Sequence, residues 1–384
     1  MIQGFFRPIG RPLIKVKETL GHYITLTDGT RLFDCQAGGS ANLLGHNVPE
    51  LNQLKANNYC SDWDFEGPTW ELLEKEMQSI IGDEYDLFIP QLTGSDAVDT
   101  AIRLAWTLKQ GKIAVRPNSY HSGSIVGWQL SDRDKEFTTN WSAIDWHIEA
   151  NTHDNVDDVL FVCKSNDISA ILVDAITWSN GAKGASDDYW RELAVLAKEM
   201  DIPLIADEIL TGFGKTGSWS YFKSIGISPD ILIFGKALTA GHDALALVCV
   251  RKDLSAKLAG KWLASGNTKA FNECGAAIAL KTINIIKREK LLDRVNNVIV
   301  PFLQQLSTDI NTTGKVESQT YGVLLELDFG TDYKRSAKFQ FKMRKRGYWQ
   351  RTWKHLYFHL FYNITDDELL ALRTSILDVL NEMK

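Results

Sequence analysis

IPLIADEILTGFGKTGSWSYFKSIGISPDILIFGKALTAG, residues 202–241, decides how this chain is read. Two short apolar runs, IPLIA (202–206) and DILIF (230–234), stand in it. Each ends on a chemically useful side chain: Asp207 with Glu208 after the first, Lys236 after Gly235 in the second. Unbroken apolar runs of this length read as strands buried on both faces. Similar runs recur at IAVR (113–116), VLFVC (159–163), AILV (170–173) and LALVCV (245–250). Helical spacing covers 69–82, 95–110 and 187–200, with Asp187 and Asp188 at the start of the last. Buried strands alternating with helices predict an α/β fold whose large, mostly parallel sheet is covered on both faces. LGHYITLTDGTRLFDC (20–35) reads as two short strands around the turn Asp28-Gly29. From about residue 273 helical periodicity takes over, at 275–312 and 365–383, with a strand at VLLELDF (323–329). That change of texture predicts a smaller α+β C-terminal domain.

The 384 residues allow about two or three domains. Apolar residues are 44% and charged residues 23%, as in an ordinary folded protein, which argues against disorder. The net charge of −6 excludes a general nucleic-acid binder, because phosphate neutralisation needs a basic surface. No apolar run approaches the roughly 20 residues that span a bilayer. The start, MIQGFFRPIGRPLIKVKE, carries Arg, Pro and Gly where a signal peptide needs an apolar core, so a cytoplasmic location is expected. Five scattered cysteines form no CxxC pair, and eight dispersed histidines form no HExxH. Neither a metal site nor a disulfide framework is expected.

In a parallel sheet the ligand site lies beyond the carboxyl ends of the strands. Three features fall there. Asp207 follows an apolar strand, where it could equally cap a helix. Lys236 follows a strand and a glycine; its amine is a Schiff-base former if desolvated and a surface charge if not. QLTGSDAVDTAIRLA (91–105) puts Gly94 and Ser95 at the start of a helix, which is either an anion cradle or ordinary capping. Together the three meet the needs of pyridoxal phosphate: a helix N-terminus for its phosphate, a lysine for its aldehyde and a carboxylate for its pyridine nitrogen. A rival motif, GFGKTG (212–217), formally matches GxGxxG. The P-loop spacing fails, since Ile209 and Leu210 stand where its first glycine belongs, and SWSYFKS follows instead of a small apolar helix start.

These residues resemble the class III aminotransferases of pyridoxal-phosphate fold type I. DEILTGFGKTG, the Pro229-Asp230-Ile231 strand start and GKALTAG carry the likeness, as do TGSDAVDTAIRLA, SYHSG (119–123) and LLGHNVPEL. RGYWQRTWKHLYFHLFYNITDDEL (346–369) resembles the family's ending, so the likeness covers nearly the whole chain. Its wording is nearest to the diaminopelargonate aminotransferases.

The resemblance implies an amino group exchanged in two stages between an amine or amino-acid donor and a carbonyl acceptor. It implies Lys236 as the covalent anchor of the cofactor and proton shuttle, and Asp207 as partner of the pyridine nitrogen. Gly94 and Ser95 are implied to bind the phosphate, and Tyr120 and Ile209 to flank the ring. Thr268 takes the place of a threonine that reaches the phosphate of a neighbouring subunit, which implies a homodimer with shared sites. The implied organisation is an N-terminal segment, 1–48, packing with the small domain, a large cofactor domain, 49–274, and a small C-terminal domain, 275–384. Other reactions on the same cofactor, a 1,2-aminomutase or a decarboxylase, use the same cofactor residues; a non-catalytic cofactor-binding protein does not need the full set. The chain departs from the family pattern in places. Glu-Pro is Asp174-Ala175, the usual glutamine is Leu210, and TWSNGA (177–182) lacks the glutamate that gates ornithine- and GABA-type members. The Arg-Pro pair that binds a substrate carboxylate is replaced, with Gln350, Arg351 and Lys354 nearby; Arg351 is the candidate contact.

Overall fold

Successive residues of the central strands go to two different apolar clusters, and this alternation builds the molecule around one large sheet. The structure, a computed structural model, describes residues 14–56, 67–117, 119–124, 126–127, 130, 147–149, 155–177, 181, 183–263, 265–351 and 355–383. The first strands are β1 (Val16–Leu20), β2 (Tyr23–Leu26), β3 (Arg31–Asp34), β4 (Tyr85–Gln91), β5 (Lys112–Val115) and β6 (His147–Glu149). Then come β7 (Ile168–Asp174), β8 (Ile176–Thr177), β9 (Lys183–Gly184), β10 (Leu204–Asp207), β11 (Ile231–Phe234) and β12 (Ala246–Arg251). The last are β13 (Glu317–Tyr321), β14 (Leu324–Asp328), β15 (Tyr348–Trp349) and β16 (His355–His359).

Seven strands form the large sheet in the order β4-β12-β11-β10-β7-β5-β6. Its pairs from β11 to β6 are parallel, and β12 alone runs against the rest. Leu172, Ile205, Ile231, Ile233 and Val248 share one face with Ala97, Val98 and Ala101 of the Gly94–Leu108 helix. Val173, Ala206, Leu232, Phe234 and Cys249 share the other with Trp190 and Leu193 of the Asp187–Glu199 helix. Both faces are dry, so each buried Ile or Val contributes about 1.5–3 kcal/mol. The arrangement is α/β and mostly parallel, as the sequence predicts.

Two elements differ from the sequence reading. VLFVC is not a strand: it lies inside the helix Val156–Ser165. Asn155 caps that helix by accepting from Asp157 N, with Asp157 and Asp158 in its first turn. Val159, Val162 and Cys163 are buried while Phe161 stays exposed, which is helical and not strand periodicity. The second is β4, whose sequence YDLFIPQ carries Asp and Pro and gives no clean apolar run. It is an edge strand, where Pro90 is tolerated.

The C-terminal part has an antiparallel sheet in the order β13-β14-β16. Leu325, Leu327, Leu356 and Phe358 lie on one face and are fully buried with the helices Val300–Thr312 and Asp366–Glu382. The opposite face carries Glu326, His355, Tyr357 and His359, also buried. A further sheet, β1-β2-β3-β15, pairs the start of the chain with Tyr348–Trp349, in parallel with β3. His22 stacks on Phe361 at 4.3 Å and bonds Glu368 at 3.0 Å, which fastens the same two regions.

Candidate active site

Ile209 gathers the predicted site. A Cβ added at Gly94 would lie 2.7 Å from Ile209 Cδ1, and one added at Gly235 would lie 3.6 Å from its Cγ atoms. The strand end carrying Asp207, the start of the Gly94–Leu108 helix and the residue before Lys236 therefore meet around one side chain. A side chain at Gly94 would press on Ile209, whose Cδ1 would have to move aside.

The helix start leaves backbone N–H groups without intrahelical partners. Thr93 is the N-cap, its Oγ1 accepting from Asp96 N at 3.2 Å. The first-turn N–H groups of Gly94 and Ser95 precede that bond, at the positive end of the helix. Ser95 Oγ accepts from Gly123 N at 3.1 Å, and Ser124 Oγ donates to Asp99 at 2.7 Å. These bonds tie the loop carrying Tyr120 and His121 to the helix. Tyr120 is half-buried.

Asp207 and Glu208, adjacent in sequence, do different work. Asp207 Oδ1 accepts from Ile209 N at 3.1 Å and Oδ2 meets His121 Nδ1 at 3.0 Å. Both side chains are buried. Burial opposes a charge on His121. The hydrogen bond to Asp207 and the charges of Asp174 and Asp207 outweigh it, against Arg116, and hold the ring's pKa above its ordinary value. Asp174 is the Cα partner of Asp207 on the adjacent parallel strand. Burial raises its carboxyl above the usual range, and His121 and Arg116 offset this only in part. Glu208 turns elsewhere. It accepts from Tyr221 N at 2.8 Å, Phe222 N at 3.1 Å and Ser220 Oγ, and so holds the turn Tyr221–Ser224.

Lys236 opens the turn Lys236–Thr239 with φ 43°, a left-handed conformation that costs a non-glycine residue energy. Lys236 is half-buried. Nearby, Lys215 is buried, with Nζ donating to Ser40 Oγ at 2.7 Å. Burial, then the charge of Lys236, pushes its amine well below the usual lysine range. Burial and the charges of Lys215, Lys236 and Arg351 likewise push the His359 ring well down. Arg351 is exposed, yet it acts on the same histidine as Lys236. Thr268 is exposed in a turn. Lys354 and most of TWSNGA (178–180 and 182) lie outside the described residues. Among the described residues no cluster of three or more His, Cys, Asp or Glu side chains could hold a metal ion.

With this geometry in view, comparison with known proteins decides the family: residues 7–380 match the model for the class-III aminotransferases. The chain belongs to that family. It is 25% identical over 333 residues to an ornithine aminotransferase of Plasmodium falciparum, covering 83% of this chain and 79% of that one. It is 24% identical over 373 residues to the adenosylmethionine-8-amino-7-oxononanoate aminotransferase of Buchnera aphidicola, covering 90% and 86%. Among solved structures, the PLP-bound amine transaminase of an uncultivated Pseudomonas species superposes with a TM-score of 0.90 at 20% identity, over 100% of both chains. This class III aminotransferase is a transaminase, and pyridoxal 5′-phosphate is its cofactor. Its residues fit that group: a glycine whose Cβ would fill the space at the helix start, a buried carboxylate backed by a histidine, and a lysine at the next strand end.

Sequence reasoning did not single out His121, Arg116 or Lys215. His121 stands inside SYHSG, quoted for its family likeness, so its neighbour Tyr120 could have pointed to it. Lys215 read as part of a false phosphate-loop motif; nothing local tells that its side chain is buried.

Proposed function

We propose that this transaminase works through Lys236 and Asp207, with Gly94 and Ser95 holding the cofactor phosphate. Bound pyridoxal phosphate supplies an aldehyde that captures amines and a ring that withdraws electrons from the amine carbon. Lys236 would hold that aldehyde, and its amine would take up and return the proton at the substrate Cα. The Asp207 carboxylate keeps the proton on the pyridine nitrogen, and the Gly94 and Ser95 N–H groups donate to the phosphate. Tyr120 and Ile209 cover the two ring faces. The observation that carries this reading is the meeting of all three segments at Ile209. Borohydride reduction of the yellow holoenzyme tests it. Mass spectrometry should find the cofactor on Lys236; a label on another lysine overturns the assignment.

We extend the proposal to the assembly and the substrate. Thr268 serves the phosphate of a partner subunit in a homodimer. Its exposure and that of Trp262, 94% exposed, support a surface covered in solution. Residues 1–48 form an N-terminal segment packed with a small domain, 275–384, against a large domain, 49–274. The sheet β1-β2-β3-β15 and the seven-stranded sheet support that division. Arg351 receives a substrate carboxylate, supported by its electrostatic reach to His359 beside Lys236. The enzyme acts in the cytoplasm; no helix among the described residues is long and apolar enough to cross a membrane. A panel of single amines, read by the spectral change to the pyridoxamine form, identifies the donor.

A further inference from the structure

Two carboxylates end neighbouring strands at the same level. β7 and β10 are parallel and in register, with Asp174 opposite Asp207. Paired residues on adjacent strands point to the same face, with backbones about 4.8 Å apart. Both side chains are buried, Asp174 at 6% exposure and Asp207 at 5%. Two buried carboxylates this close do not both stay ionised without countercharge. The countercharge is on the page. His121 Nδ1 lies 3.0 Å from Asp207 Oδ2. Arg116 is buried, donates from NH1 to the Asp174 carbonyl at 3.0 Å, and lies over the Trp190 ring at 4.9 Å. The charged groups acting on His121 are Asp174, Asp207 and Arg116, so two anions face two cations.

Asp174 differs from the other buried acid of this region. Glu208 is satisfied by structural partners, accepting from Tyr221 N, Phe222 N, Ser220 Oγ and Thr211 Oγ1. Among the described residues Asp174 Oδ1 is buried with no hydrogen-bond partner, and so is Arg116 Nε. A carboxylate kept dry without a bonding partner for that oxygen costs stability, which calls for a function beyond packing. We infer that Asp174 is a positioning residue: it keeps the His121 ring in its charged, two-proton form, and through that ring fixes the Asp207 carboxylate toward the cofactor. The inference rests on the role proposed above for Asp207. With Asp174 present, His121 Nδ1 is a permanent charged donor to Asp207. With Asp174 gone, Arg116 and Asp207 balance alone, the ring gives up its proton more readily, and its grip on Asp207 weakens.

The test uses nitrogen NMR of histidine-labelled, cofactor-free protein, with the His121 signal assigned by its loss in His121→Gln. In the wild type that ring stays charged through neutral pH. In Asp174→Asn its titration midpoint falls by about one pH unit or more, and the cofactor dissociation constant rises about tenfold. Asp174→Glu, which keeps the charge, retains the wild-type titration. An unmoved His121 midpoint in folded Asp174→Asn overturns the inference and leaves Asp207 untouched, since Asp207→Ala still loses the cofactor. A moved midpoint with unchanged cofactor affinity overturns the step through Asp207. If Asp207→Ala also binds the cofactor normally, the fault lies in the role proposed for Asp207. A double-mutant cycle guards against a merely structural loss. In the His121→Gln background, Asp174→Asn adds no further loss of affinity; additive losses would sink the proposal.

Discussion

At the scale of single residues, the site turns on what each buried polar group faces. Asp207→Ala removes the only group proposed to hold the pyridine proton. Turnover should nearly vanish and cofactor affinity should fall, as read by absorbance titration; unchanged turnover would remove Asp207 from the mechanism. Gly94→Ala forces a methyl to 2.7 Å from Ile209 Cδ1. It should weaken cofactor binding, and adding Ile209→Val, which deletes that carbon, should restore part of it. No restoration means that the clash is not the cause. His121 also links the site to pH. Its pKa is raised in the folded state, so its stabilising contribution is full below its unfolded pKa and lost as pH rises through the higher folded value. The difference in urea midpoint between wild type and His121→Gln should therefore shrink as pH rises above neutral. A constant difference would show that the ring is not held charged. The sequence let Asp207, Lys236, Gly94 and Ser95 be proposed because strand ends and helix starts can be read locally. It hid Asp174 as a partner of Asp207, because register between strands about 30 residues apart is set by tertiary packing.

At the scale of elements, the sheet was legible and one helix was not. IPLIA, DILIF and AILV have two dry faces, and nothing polar interrupts them. VLFVC has the same local look, yet its flanks decide otherwise: Asn155, Asp157 and Asp158 cap and charge a helix start. The distinction is testable through Phe161, which is 70% exposed, and Val159, which is 2% exposed. Phe161→Lys should change stability by less than about 0.5 kcal/mol in urea unfolding. Val159→Lys buries an unpaired charge in the core and should cost several times more. Comparable large losses at both positions would return the segment to a strand, in which these two residues share one buried face. The opposite error, at Tyr85–Gln91, has a physical reason too. The edge position tolerates Pro90, and β12 supplies the pairing that local propensity does not.

At the scale of the whole molecule, β3 and β15 join the strands β1–β3 to Tyr348–Trp349 in one sheet, and the residues proposed to hold the cofactor lie on or beside the elements of another. Thr268 is exposed in a turn, while the residues proposed to hold the phosphate within one subunit cluster around Ile209. A residue that acts only across an interface leaves this pattern, and a two-fold dimer gives each subunit's Thr268 to its partner. Subunit mixing decides the matter. Lys236→Ala lacks its own amine but can lend Thr268; Thr268→Arg keeps its amine but blocks the phosphate of its partner. Each homodimer should be nearly inactive. In the heterodimer one site collects both defects and the other has neither. Random reassociation at equal amounts makes half of all dimers mixed, so activity should return to about a quarter of wild type. Were Thr268 to serve its own subunit, every site in the mixture would carry one defect and no activity would return.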